Sequence, residues 1–262
     1  MQSHKDTVVE QFTLQADTFA AAASIRDDQA LGLLVTSCGA SSADDSLDVA
    51  CGPGLVVCAF AEVVRSATGI DLTPAMIDKG KSLAASKKLG NTSFSVGDVN
   101  SLPFPSTSFS IVSSRYAFHH FQKPTRVLME MVRVCKPGGR VAVMDMIVSN
   151  DPAKAERFNR MEKLRDPSHV GALTLSTLKQ CFRDVGLPEP TVAHYKMPVE
   201  LDALLNASFP NPGDGEVVRE MVLASLADDE MGVQTHRKAD KVYFWYPIAL
   251  LVSTLPQSSG AI

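Results

Sequence analysis

Ser46-Leu47-Asp48-Val49-Ala50-Cys51-Gly52-Pro53-Gly54-Leu55-Val56-Val57 is the stretch on which the reading of this chain turns. A short β-favouring run ends in two glycines one residue apart and passes directly into an apolar helical pattern. Glycines at a strand-to-helix turn let a ligand come against backbone N–H groups with no Cβ in the way. By itself a Gly-x-Gly fits a merely tight turn equally well. Two acids further on favour a ligand. Asp71, seventeen residues after Gly54, closes the next β-like run, where a carboxylate can accept both hydroxyls of a ribose. Gly97-Asp98-Val99 closes the third and sets an acid and a backbone N–H against an adenine edge. Strand, glycine turn, helix, strand and acid, in that order, make the nucleoside-binding half of a doubly wound sheet.

Outward from that stretch, β-rich runs at 46–50, 67–71, 92–96, 109–113, 140–146, 191–195 and 242–252 alternate with helical patterns such as 55–65, 74–88, 124–135 and 175–185. This is the alternation of an α/β, Rossmann-like sheet with helices on both faces. Thr73 before Pro74 offers an N-cap hydroxyl followed by proline at the first helical position. Lys136-Pro137-Gly138-Gly139 reads as the turn that ends one helix and launches the next strand. Two segments break the alternation. In residues 1–42, Phe12, Ala16, Phe19 and Ala20 share a helical face, suggesting an N-terminal helix folded over the sheet's edge or site. Residues 198–240 hold nine acidic against three basic residues, a local balance of −6 that exceeds the whole chain's −4, and read as a solvated helical insertion acting as a lid.

The composition excludes several classes. With 25 Lys+Arg against 29 Asp+Glu the 262 residues lack the basic face of a nucleic-acid binder, and 45% hydrophobic residues are ample for a core. Cys38, Cys51, Cys58, Cys135 and Cys181 are odd in number and contain no Cys-x-x-Cys, which argues against a disulfide framework or thiolate metal site and for a reducing, cytoplasmic setting. The polar N-terminus lacks a secretion signal, and the longest apolar stretch, 242–252, is short of the roughly 20 residues that span a bilayer. No membrane insertion is expected.

The glycine spacing narrows the nucleoside. A dinucleotide fingerprint wants a third glycine where Val57 stands, and the pattern here is Asp-x-Ala-x-Gly-x-Gly, which suits a ligand with no pyrophosphate. At this point the chain resembles class I S-adenosylmethionine (SAM) dependent methyltransferases, close to the ubiquinone/menaquinone-biosynthesis C-methyltransferase group. Asp48 to Gly54 match that family's first motif and Gly69 to Met76 its second-strand acid and following helix. Gly97-Asp98-Val99, Leu102-Pro103-Phe104 and Phe109 match the approach to the fourth strand, and Arg133 to Gly139 the turn before the fifth. The resemblance covers residues 45–148 well. It implies SAM as cofactor, with Asp48, Ala50, Gly52 and Gly54 in the loop beside the methionine part, and Asp71 on the ribose. Leu72 and Met76 would lie beside the adenine, with Asp98 and Val99 at its amino edge. Arg115 would sit near the methionine amino group. It also implies a single domain with a seven-stranded sheet whose seventh strand is antiparallel: a helical segment at 1–42, the SAM-binding core at 43–148, a helix, turn and sixth strand at 149–197, the lid at 198–240, and strand and tail at 241–262. Pro247 would cost that last strand a ladder bond, so a bulge is expected there, with 248–253 the better-paired part.

The methyl acceptor is sought at the end of the fourth strand, which reads Arg115-Tyr116-Ala117-Phe118-His119-His120-Phe121. A histidine near its ordinary pKa can take a hydroxyl or acidic C–H proton at neutral pH, so His119 and His120 are candidate bases, with His119 marginally preferred. They could equally cap the following helix. His169, in the Asp166-Pro167-Ser168-His169 turn, is a third candidate. Phe12, Tyr116, Asp145, and Phe158, Glu162 and Arg165 on one face of the helix at 152–164 are candidate substrate contacts, although Glu162 and Arg165 also fit a surface ion pair. Met221 and Phe209 read as ordinary core. Adjacent histidines without an acid or thiol at ligand spacing give no metal site. The expected partner is therefore a small molecule methylated on oxygen or an activated carbon, with a homodimer allowed. The competing readings are a SAM-binding protein with lost or exchanged chemistry, such as a rearrangement or cyclisation, and an RNA methyltransferase, which the acidic insertion disfavours.

Overall fold

The computed structural model describes residues 3–21 and 27–257; the side chains of Phe19, Ala20 and Ala21 lie outside that description. The parallel half of the sheet comprises β1 (Asp45–Val49), β2 (Ser66–Asp71), β3 (Thr92–Val96), β4 (Phe109–Arg115) and β5 (Cys135–Val148). Two short strands, β6 (Leu173–Thr174) and β8 (His236–Lys238), pair at its margin, and β7 (Thr191–Glu200) and β9 (Lys241–Thr254) complete it. The order is β3-β2-β1-β4-β5-β9-β7, with β9 antiparallel to both β5 and β7. The expected seven strands are thus present, the last chain segment lying inside the sheet.

The helices are α1 (His4–Ala21), α2 (Asp28–Ser37), α3 (Leu55–Ala61), α4 (Pro74–Ser86), α5 (Pro124–Val134), α6 (Pro152–Arg165), α7 (Leu175–Asp184), α8 (Leu201–Asn206) and α9 (Asp214–Asp228). One apolar layer joins α2, α3, α6 and α9 to one face of the sheet through Leu34, Phe60, Phe158, Val222 and Phe244. On the opposite face Val127, Leu128 and Met131 of α5 and Phe182 of α7 pack against Val112, Val143 and Leu251. The spacing of α5's buried residues, Val127, Leu128, Met131 and Val134, is the stripe that a helix needs to cover a sheet. β1 has β2 on one side and β4 on the other, both parallel to it, so the order of strand addition reverses there, and the crevice beyond the carboxyl ends of β1 and β4 is where such sheets bind ligands.

Four local expectations are corrected. Pro247 produces no bulge: the β7 ladder passes through Lys196↔Pro247 in register, and the β5 ladder ends one residue away at Met146↔Ile248, so the missing donor falls where one flanking strand has already turned aside. Thr73 is the N-cap residue of α4 with Pro74 in its first turn, but its hydroxyl makes no capping bond to the helix, and its N–H goes to Asp71 Oδ1 at 2.8 Å. Lys136 to Gly139 belong to β5 itself; the extra residues are absorbed by a register shift opposite Phe109 to Ile111, with Gly138 at φ +72°. The 198–240 insertion begins as the end of β7, and its α9 packs on α6 through Val218 and Val222 rather than over the crevice.

Candidate active site

A cavity of about 460 Å³ opens at the carboxyl ends of β1, β2 and β4. Two chain turns shape it. Ala50 (φ +57°), Gly52 (φ +50°) and Gly54 (φ +78°) wind the backbone from β1 into α3, and Tyr116 (φ +55°) does the same after β4. Non-glycine residues in the left-handed region cost of order 1–3 kcal/mol and persist where the surroundings over-determine them, which is typical of ligand clamps. A Cβ added at Gly52, which lines the cavity, would meet no protein atom within 4 Å. Gly54 differs: a Cβ there would lie 2.8 Å from the Phe94 ring and 2.9 Å from the Gly80 Cα, and Gly54 does not line the cavity. It serves the close packing of α3 on α4, the job a dinucleotide fold gives its third glycine. Met76, expected beside an adenine, is likewise buried in the core under α4 and off the cavity wall.

Three carboxylates face the cavity in different states. Burial pushes the Asp71 carboxyl above the usual range, opposed by the N–H groups of Thr73 and Gly52, each 2.8 Å from one of its oxygens. Asp48, on β1, is raised to about 7 by burial despite a 2.7 Å bond from Ser113 Oγ and the positive Arg115. Burial alone would raise Asp98 too, but the Lys5 ammonium at 2.6 Å and two bonds from Asn100 hold it below its ordinary value. Leu72, Val99 and Ala50 complete this end, and Arg115 stacks 4.2 Å over the Tyr116 ring at the other.

α1 roofs the cavity with His4, Lys5, Val8 and Phe12, facing Ala117, His120 and Phe121. Of the three candidate histidines only His120 lines the space. His119 lies behind it, ring centroids 4.2 Å apart, with Nδ1 2.6 Å from Asp145 Oδ1 and its backbone N–H on Oδ2 at 3.1 Å. Burial would lower His119, and the Asp145 charge and hydrogen bond outweigh it, leaving the imidazole raised. Burial and His119 together depress His120 to about 3. His169 is sealed away, Nε2 2.9 Å from Asn159 Oδ1, and burial lowers it to about 2, so it is no base for anything in the cavity.

The α6 patch is a correction. Phe158 and Glu162 are buried against β9, where Tyr246 donates its hydroxyl to Glu162 Oε1 and the half-buried Arg165 grips Oε2 at 2.7 Å. They are neither surface pair nor cavity wall. Asp145 stands behind the wall as the partner of His119. Missed in the sequence were His4, Lys5 and Val8, along with Gln122, Lys123 and Arg126 on the rim. His4, Val8 and Phe12 recur every four residues, the one signal that could have joined them to a common face. Among the described residues, no three His, Cys, Asp or Glu side chains are grouped to hold a metal, and no helix is long and apolar enough to cross a membrane.

Comparison with known proteins places this geometry in context. Residues 47–143 match the family described as "methyltransferase domain". The uncharacterized methyltransferase YcgJ of Bacillus subtilis is 31% identical over 205 residues, which span 78% of this chain and 81% of YcgJ. Its crystal structure superposes with a TM-score of 0.80 at 27% identity over 87% of this chain and 99% of that one. The demethylmenaquinone methyltransferase of Renibacterium salmoninarum is 31% identical over 113 residues, 43% of this chain and 46% of the enzyme. The fold is also shared with the [4+2]-cyclase SpnF, at TM-score 0.61 and 19% identity over 88% of this chain and 82% of that one.

Proposed function

From the premise that the chain belongs to the methyltransferase family, we propose that it uses SAM to methylate an oxygen or activated carbon of a small, largely apolar metabolite. The observation that carries this is Asp71, a half-buried carboxylate whose two oxygens are organised by the N–H groups of Gly52 and Thr73 at the mouth of the glycine turn. The fit of the residues to SAM is direct. Asp71 keeps lone pairs for two ribose hydroxyls, Leu72 and Val99 give apolar faces for the base, and Asp98 gives an acceptor for an exocyclic amine. The side-chain space at Gly52 is left to the ligand. Asp48, raised to about 7 by burial, is the carboxyl that an incoming α-ammonium would drive to its ionised form.

Bound SAM supplies an electrophilic methyl on a sulfonium. What the chain contributes is orientation and dryness: Val8 and Phe12 of α1 close over Ala117 and Phe121, so an acceptor held there meets the methyl with little water. His119, made basic by Asp145 and with Nε2 free of any hydrogen bond among the described residues, stands one ring behind the cavity wall and takes the acceptor's proton, where one must leave, once ligand binding turns His120 aside. The demethylmenaquinone methyltransferase relative favours an aromatic acceptor of this kind.

The test is calorimetric titration with S-adenosylhomocysteine, followed by incubation with SAM and a panel of phenols, quinols and enols. Micromolar binding and release of S-adenosylhomocysteine with one acceptor class are expected. Absence of binding would sink the nucleoside assignment. Binding, with an acceptor consumed but no S-adenosylhomocysteine released, would instead select exchanged chemistry.

A further inference from the structure

The motif that the cofactor reading leaves unused is Asp166-Pro167-Ser168-His169, a turn buried behind the cavity's acceptor end. Ser168 Oγ lies 2.5 Å from Asp166 Oδ1 and 3.1 Å from His120 Nδ1. The same Oδ1 takes the Ser168 N–H at 2.8 Å, and Gln15 of α1 reaches Oδ2 at 3.3 Å.

The direction of these bonds is forced. Asp166 takes N–H donors on both oxygens, and although burial alone would raise its carboxyl, the electrostatic pull of His120, then of Arg165, and the two Ser168 bonds hold it below the usual carboxylate range. It is ionised and only accepts. A hydroxyl has one proton, so Ser168 spends it on Asp166 and offers His120 a lone pair. His120 Nδ1 must then carry the ring hydrogen. The groups facing His120 from other elements are His119, His169, Asp145, Asp166 and the His4 ring, whose Nε2 meets the His120 carbonyl at 2.9 Å. Burial in their midst keeps His120 neutral. Nε2 makes no hydrogen bond among the described residues, and His120 lines the cavity.

We infer that Asp166 and Ser168 are positioning residues that lock His120 as its Nδ1–H tautomer, so that Nε2 receives a hydrogen bond from a neutral hydroxyl or N–H of the methyl acceptor. The wall therefore selects acceptors carrying such a donor beside the atom that takes the methyl, and rejects their donor-free ethers, whose approach leaves a buried lone pair unmatched. This inference rests on the methyltransferase reading of the same cavity.

Long-range 1H–15N spectra of the 15N-labelled full chain at neutral pH read the tautomer directly. His120 is expected as Nδ1–H in the wild type, and as Nε2–H, the form favoured by free histidine, in Ser168→Ala. Unchanged His119 resonances in that variant report an intact fold. With the chain saturated by S-adenosylhomocysteine, phenol should displace the His120 Nε2 resonance and anisole should not. An Nε2–H or doubly protonated His120 in the wild type, an unaltered tautomer in Ser168→Ala, or equal responses to phenol and anisole would each overturn the inference. Failure of S-adenosylhomocysteine itself to shift the Gly52 and Asp71 amides would instead remove the underlying reading.

Discussion

Asp71 and Asp48 sit within one crevice and are set to different tasks by their neighbours. Asp71 already receives two N–H groups, so it is held in place to accept more. Asp71→Ala should weaken S-adenosylhomocysteine binding by at least about tenfold, the scale of a lost charge-assisted bond, and calorimetry would measure it. Asp48 carries a folded-state value of about 7 against a usual 3.8, chiefly through burial. The folded chain therefore binds this proton more tightly than the unfolded one. The group's stabilising contribution is full below the unfolded value and is lost as pH rises toward 7. Asp48→Asn should flatten the decline in Tm across that window; an identical decline in both proteins would show that the charge is relieved elsewhere. For His119 the sign is opposite in origin: its raised value means that turnover should climb as pH passes above the ordinary 6.5, where the base form appears. His119→Ala should lower kcat by about 100-fold, within the usual range for general-base catalysis, and leave S-adenosylhomocysteine affinity within about twofold.

At the scale of elements, the glycine turn between β1 and α3 separates packing from binding. Gly52 and Gly54 are both left-handed, yet a side chain at Gly52 would enter open cavity and one at Gly54 would strike Phe94 and the backbone of Gly80. Gly54→Ala should cost about 2–4 kcal/mol in urea unfolding, combining the left-handed penalty with overpacking. Gly52→Ala should cost only about 1 kcal/mol of stability while weakening S-adenosylhomocysteine markedly; the reverse pattern would exchange their roles. This turn was legible because a backbone that must touch a ligand demands particular residues at a fixed spacing. α1 was only half legible. Phe12 marked an apolar face, and the four-residue spacing of His4 and Val8 puts them on it, but that this face roofs the cavity follows from tertiary packing alone. The difference between His119 and His120 was equally hidden, since it depends on Asp145 and Ser168, each supplied by another element.

Across the whole molecule, the sheet joins two regions that sequence spacing cannot connect. Glu162 and Arg165 look like an exposed i,i+3 pair until β9 brings Tyr246 over them, and whether such a pair lies in water or in a core is decided by the strand, not by the helix. The cluster ties α6 to the central antiparallel strand and lies apart from the cavity. Glu162→Ala would leave the Arg165 guanidinium only Ser208 Oγ at 3.3 Å and strand the Tyr246 hydroxyl beside Phe158 and Phe244, and removing one partner of a buried pair costs about 3–5 kcal/mol. Glu162→Ala should therefore lower the urea midpoint severely. At temperatures where it remains folded, S-adenosylhomocysteine affinity should match the wild type within about twofold. A replacement that removes the three bonded groups at once, Glu162→Leu with Arg165→Met and Tyr246→Phe, should recover most of the loss, because Ser208 keeps its bond to the Leu204 carbonyl and the penalty lies in the orphaned charge rather than in the missing contact. If the triple variant is as unstable as the single one, or if Glu162→Ala weakens nucleoside binding while folded, the cluster acts on the site and not only on the scaffold.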